Sequence, residues 1–233
     1  CGTMGGGIAM CFLNVGIPVT SLEMNQEALD RGMGVIKRNY DIQVQRGRMT
    51  AEQVDQRMGL LTGTTDFADL GQADVIVEAI YENIDVKVEA FQKMDAVAKP
   101  GAILASNTSG LDVDKMAAAT KRPDSVIGLH FFSPANVMRL LEIVRGADTS
   151  KETIASSMKL GRTLNKIAVL SGNAPGFIGN RMLAGYTRQA GEIILQGATP
   201  YQVDNALLQF GMPMGPFQMN DLVGLDLGWR ARK

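Results

Sequence analysis

Short continuous apolar runs alternate with longer helical stripes along most of this chain. Residues 4–13 carry a helical apolar pattern that stops at Gly16-Ile17-Pro18, and residues 19–23 form a short strand ending in an acid. A long polar helix is predicted over residues 26–45. Gly47 breaks it, and Thr50-Ala51-Glu52-Gln53 reads as a capping box opening another short helix. Residues 74–80 are a nearly unbroken apolar run, the mark of a strand covered on both faces. Further strands are expected at 102–105, 125–131, 140–144 and 166–170, with helices at 86–98, 112–120 and 151–164. Strands and helices alternating at this pitch predict an α/β fold with a doubly wound parallel sheet. After residues 171–176 the pattern turns purely helical, at 177–196, 200–210 and from 217 onward. A domain boundary near Gly172 follows: residues 1–172 form the α/β domain and 173–233 the start of a helical one.

Composition narrows the function classes. The 233 residues suffice for one large domain or two smaller ones, and 45% hydrophobic content is a globular value. A net charge of −1 leaves no broad electrostatic footprint for nucleic acid or an anionic membrane. The most apolar stretch, residues 4–22, contains Gly5, Gly6, Gly7, Asn14, Gly16 and Pro18, which argues against a membrane-spanning helix. Cys1 and Cys11 match no disulfide or metal framework, and a single histidine excludes a His-rich zinc site. That usage fits a reducing, intracellular compartment.

The Gly-rich opening carries the first candidate chemistry. Gly2-Thr3-Met4-Gly5, followed by an apolar helix, has the spacing of the last two glycines of G-x-G-x-x-G. There the middle glycine lets the backbone approach a pyrophosphate, the last permits close helix–strand packing, and the helix N-terminus attracts the phosphates. Glu23 ends the second strand of such a unit, where an acid hydrogen-bonds the ribose hydroxyls and repels a 2′-phosphate, favouring NAD over NADP. The motif's first glycine falls one residue before Cys1, and its first strand before that. The expectation is therefore a Rossmann-type sheet whose central first strand is missing from these residues. Such a piece has two uncovered strand edges and folds poorly as a bare chain.

The single histidine, His130, stands in Gly128-Leu129-His130-Phe131-Phe132-Ser133-Pro134, shortly before Glu142. Histidine can exchange a proton near neutral pH, and a nearby acid can orient it, so the pair has the form of a general base and its partner. Taken alone, a lone histidine is more often a packed core residue. Ser109 in Asn107-Thr108-Ser109-Gly110 reads as a turn hydroxyl, Asn180 as helix-surface polarity, and Glu82 with Lys87 as a solvated pair at a helix start.

Five segments in order resemble the L-3-hydroxyacyl-CoA dehydrogenase family: the Gly-rich helix, the run from Val77 to Asn83, Ser106-Asn107-Thr108-Ser109, the run from His130 to Pro134, and the run from Pro175 to Leu183. The versions from His130 to Glu142, and from Met214 to Lys233, are most similar to the dehydrogenase part of multifunctional β-oxidation enzymes. The resemblance implies oxidation of L-3-hydroxyacyl-CoA to 3-ketoacyl-CoA with NAD. It makes His130 the general base, Glu142 its partner, Ser109 a donor to the substrate 3-oxygen, and Asn180 a further member of that polar cluster. A turn after Pro134 can return the chain so that Glu142 faces His130. Gly2, Thr3, Met4, Gly5 and Glu23 hold the cofactor in this reading, with Glu82 and Lys87 near its nicotinamide and Asn107 at its ribose. Lys37 and Arg38, with Arg46 and Arg48, are candidates for the CoA phosphates. The resemblance also allows a fused or associated enoyl-CoA hydratase domain, and self-association through the C-terminal helices. It is compatible with a bacterial cytoplasm, a mitochondrion or a peroxisome.

Two other readings compete. A CoA-independent β-hydroxyacid dehydrogenase relies on a lysine in its helical domain, and this chain has none between Lys166 and Lys233. A non-catalytic NAD-binding relative keeps the fold without the chemistry, since function resides in the site.

Overall fold

The computed structural model describes residues 2–224. Cys1, the expected helical continuation past 224 and the 228–233 end of the family-like segment lie outside the described residues. The chain forms two compact units, residues 1–177 and 178–233.

In the first unit, α1 (Thr3–Leu13), β1 (Val19–Leu22), α2 (Gln26–Gln45), α3 (Ala51–Met58) and β2 (Leu61–Thr64) lead into β3 (Val75–Glu78). Then come α4 (Ile84–Val97), β4 (Ile103–Ser106), α5 (Val113–Ala117), β5 (Val126–Phe131), β6 (Leu140–Arg145), α6 (Lys151–Thr163) and β7 (Ile167–Gly172). The apolar pattern along the chain does not mark strand β2. Its four residues, Leu-Thr-Gly-Thr, offer neither an apolar run nor alternation. It forms by pairing in parallel with β1, and glycine at 63 lets α2 approach, since a Cβ there would come within 2.9 Å of the Leu29 side chain.

The strands lie in two sheets. One pairs β1 with β2, and the other runs β3-β4-β5-β6-β7. All pairings are parallel except β5–β6. The connection from Phe131 to Leu140 is too short for a parallel crossover, so the chain turns back on itself. That reversal sets Glu142 directly opposite His130 in the ladder.

Side chains alternate across the sheet, so each strand feeds two apolar layers. One layer contains Ile103, Ala105, Ile127, Leu129, Leu141 and Ile143 beneath Ile8 and Cys11 of α1. The other contains Ile76, Leu104, Val126 and Val144 against Phe91 and Met94 of α4 and Met116 of α5. By the same alternation, Glu78, Ser106, His130 and Glu142 continue the second layer's rows. Gly128 belongs to this face too, and a Cβ there would sit 2.7 Å from Val144 Cβ. The apolar rows therefore turn polar at one end of one face, where β3, β4 and β5 terminate. Open α/β sheets bind ligands beyond the carboxyl ends of their strands.

The second unit is helical, with α7 (Gly179–Leu195), α8 (Pro200–Phe210) and α9 (Pro216–Val223). Thr199 and Gln202 form a capping box at α8, and the Asp204 carboxylate accepts from the Phe217 and Gln218 amides at the start of α9.

Candidate active site

His130 is the fifth residue of β5 and is 5% exposed; Glu142 is 1% exposed. The imidazole Nδ1 and Glu142 Oε2 are 2.7 Å apart. An ionised carboxylate is acceptor-only, so Nδ1 carries the proton and Nε2 the lone pair that can take another. The ring packs against Phe132, centroids 4.4 Å apart, and edge-on to Phe177 at 5.7 Å. Phe177 holds a φ of 47°, a costly backbone geometry for a bulky residue, at this aromatic contact. The loop after β5 is tied down from two sides. Lys166 Nζ donates to the Ala135 and Met138 carbonyls at 2.6 and 2.7 Å, and Ala135 lies so close to α1 that a Cβ on Gly7 would be 3.1 Å from its own.

A second polar group lies at the ends of β3 and β4. The Glu82 carboxylate accepts from Thr108 Oγ1 at 2.6 Å, from the Ser109 amide at 2.8 Å and from Ser109 Oγ at 3.1 Å. Burial opposes its ionisation, but those hydrogen bonds and the Lys87 charge outweigh burial and hold its carboxyl below the usual carboxylate range. Lys87 is not the solvated side chain its position at a helix start suggests. It is 1% exposed, donating to both oxygens of Glu78 at 2.9 and 2.8 Å and lying 3.3 Å from Glu82. Asn107 Oδ1 accepts from the Phe131 amide at 2.9 Å, joining this group to the residue after His130.

The α1 N-terminus has the donor chemistry a dinucleotide needs. Its N-cap is Gly2, no side chain caps it, and no acid stands in its first turn. Its first amides therefore lack intrahelical partners and carry the helix's partial positive charge. Open space surrounds the position a Gly2 Cβ would occupy. Glu23 directly follows β1, its amide bonded to the Thr64 carbonyl. Gly2, Thr3, Met4, Gly5 and Glu23 fit a diphosphate and a diol.

Comparison with known proteins decides the family. The model of the 3-hydroxyacyl-CoA dehydrogenase NAD-binding domain matches residues 1–174, and that of the family's C-terminal domain matches residues 176–233. The chain belongs to the 3-hydroxyacyl-CoA dehydrogenase family.

Among similar proteins, the peroxisomal bifunctional enzyme of Danio rerio is 44% identical over all of this chain and 32% of its own length. The (S)-3-hydroxybutyryl-CoA dehydrogenase of Ralstonia eutropha has a TM-score of 0.95 and 34% identity, over 99% of this chain and 82% of that one. The dehydrogenase part of multifunctional enzyme 1 from C. elegans has a TM-score of 0.73 and 32% identity, over 97% of this chain and 52% of that one. The chain spans about a third of the length of the zebrafish enzyme it matches. Its first unit carries the family's NAD-binding domain.

The structure joins His130 to Glu142, and Ser109 to Glu82, which in turn lies 3.3 Å from Lys87. Asn180 is the second residue of α7, in the other unit. Lys37 and Arg38 are exposed on α2, and Lys37 is paired with Asp41 at 2.8 Å. Glu78, Ser106 and Thr108 join the polar group without having been singled out in the sequence. The signal for Glu78 was available, because an acid inside Val75-Ile76-Val77-Glu78 must be buried and so must find a partner. Among the described residues, no group of three or more His, Cys, Asp or Glu could hold a metal ion, and no helix is long and apolar enough to cross a membrane.

Proposed function

We propose that this chain is an NAD-dependent dehydrogenase unit oxidising L-3-hydroxyacyl-CoA to 3-ketoacyl-CoA in fatty-acid β-oxidation. The observation that carries the reading is the buried His130–Glu142 pair at the carboxyl end of the sheet. His130 Nε2 takes the proton of the substrate 3-hydroxyl, and Glu142 holds the ring's tautomer and offsets the charge the imidazole gains. NAD, when bound, supplies the hydride acceptor. Ser109 donates to the 3-oxygen, and Asn180 is assigned a substrate contact on its motif alone. Gly2, Thr3, Met4 and Gly5 offer the α1 terminus to the diphosphate, and Glu23 accepts from the ribose. Glu82 lies on the nicotinamide side of the cofactor with the buried Lys87 behind it, and Asn107 contacts the ribose, while Lys37 and Arg38 meet the CoA phosphates.

At the level of domains, residues 1–172 are the NAD-binding domain and 173–233 begin a helical one that serves substrate binding and self-association. By its resemblance to multifunctional β-oxidation enzymes, the dehydrogenase works beside a fused or associated enoyl-CoA hydratase domain, and by likeness to the peroxisomal bifunctional enzyme it does so in a peroxisome if the source is eukaryotic.

The test is NADH formation from an L-3-hydroxyacyl-CoA, in wild type and His130→Gln. The expected result is turnover that falls about 10²–10⁴-fold in the variant with NAD affinity unchanged, the usual weight of a general base. Turnover surviving the substitution overturns the assignment of the base. A folded wild type that binds NAD without turning over overturns the enzymatic reading, and equal activity on the free hydroxyacid removes CoA from it.

A further inference from the structure

A buried carboxylate outside the proposed roles is the root of the polar group at the ends of β3 and β4. Glu78 is 6% exposed, yet an acid here interrupts an apolar strand row. Two arms leave it. On one, Ser106 Oγ donates to Glu78 Oε1 and in turn accepts from the Thr108 amide at 3.1 Å. The parallel register sets Ser106 beside Glu78, so this arm is as short as the ladder permits. On the other, Glu78 takes two donors of the Lys87 ammonium, leaving that cation only a longer 3.3 Å approach to Glu82 Oε2. Glu82 Oε1 then holds Thr108 Oγ1 and the Ser109 amide and hydroxyl. Both arms end on the same turn, Thr108–Ser109.

Burying Glu78 with Lys87 is a poor source of stability, because well-packed apolar residues serve as well or better in such places. Its geometric consequence is specific. Without Glu78, Lys87 would be drawn onto Glu82, and Glu82 would be pulled from the Ser109 amide while Thr108 lost its tie to Ser106.

We propose that Glu78 is a positioning residue that fixes the Thr108–Ser109 turn through Ser106 and through the Lys87–Glu82 pair, and thereby aims the Ser109 hydroxyl. The importance of that aim rests on the reading of Ser109 as a substrate contact.

The experiment compares Glu78→Gln with wild type in the full-length protein by backbone amide hydrogen exchange and by steady-state kinetics. Amides of residues 108–111 are expected to exchange at least about 10-fold faster while β4 and β5 amides keep their rates, a local rather than global opening. With an L-3-hydroxyacyl-CoA, kcat is expected to fall about 10–100-fold while KM for that substrate stays within about two-fold, as for a misplaced reacting partner. Unchanged turn amides overturn the proposal, as does equal acceleration across all strands, which marks a purely structural residue. Should Glu78→Gln not fold, Ser106→Ala cuts the first arm alone, and unchanged exchange at the Thr108 and Ser109 amides there overturns the proposal equally. A loosened turn in a protein that never shows dehydrogenase turnover supports the positioning and discards the functional reading.

Discussion

At the scale of single residues, burial decides what each polar group can do. Tyr40 shows this away from the site. It lies on the inner face of α2, 1% exposed, with its hydroxyl donating to Asn14 Oδ1 at 3.1 Å. Burial pushes its pKa up to about 12 despite the Arg57 guanidinium near its ring. An unfolded tyrosine ionises near pH ~10. The folded chain therefore keeps a proton that the unfolded chain loses, and stability falls as pH rises from about 10 to about 12. Tyr40→Phe is expected to flatten this alkaline limb in denaturant titrations, and to cost about 0.5–1.5 kcal/mol at neutral pH for the lost hydrogen bond. His130 and Glu142 were legible in the sequence as a candidate pair because one histidine and one nearby acid leave few choices. Lys87 was not, because sequence spacing at a helix start does not reveal that the helix points its lysine into the sheet.

At the scale of elements, local signals and pairing divide the work. The Thr50–Gln53 capping box is visible in sequence and present in the structure, with the Gln53 amide 3.3 Å from Thr50 Oγ1 and Thr50 N 3.0 Å from Gln53 Oε1. Helix α3 has eight residues and buries only Val54, so its cap matters. Thr50→Ala is expected to lower unfolding free energy by about 1 kcal/mol in a urea melt, without changing NAD binding. Strand β2 carries no comparable signal; it is a strand because β1 lies alongside and α2 approaches over Gly63. Strands β3 to β7 were readable as apolar runs; burial on both faces accounts for that trace in β4 and β5, whereas β7 is apolar in sequence yet largely exposed or half-buried. The direction of β6 depends instead on the short loop that precedes it.

At the scale of the whole molecule, cofactor choice links the helix terminus, the Glu23 carboxylate and global stability. A ligand that binds only the folded state stabilises it by about 2.7 kcal/mol at a hundred times its Kd. NAD is expected to raise the melting temperature by that mechanism, and NADP is not, because Glu23 repels a 2′-phosphate. Glu23→Ser should narrow the difference in a thermal-shift assay; an unchanged preference for NAD would remove Glu23 from cofactor selection. The sequence by itself determined the alternation of strands and helices, the Gly-rich helix start and the candidacy of His130 and Glu142 as a pair. These rest on periodicity and residue chemistry, which act over a few neighbouring positions. Only the tertiary structure decided that Glu142 lies opposite His130, that Lys87 is buried between two acids, and that Glu78 underlies the Ser109 turn. Those facts depend on strand register and on the need of each buried charge for a partner, and both are settled between segments distant along the chain.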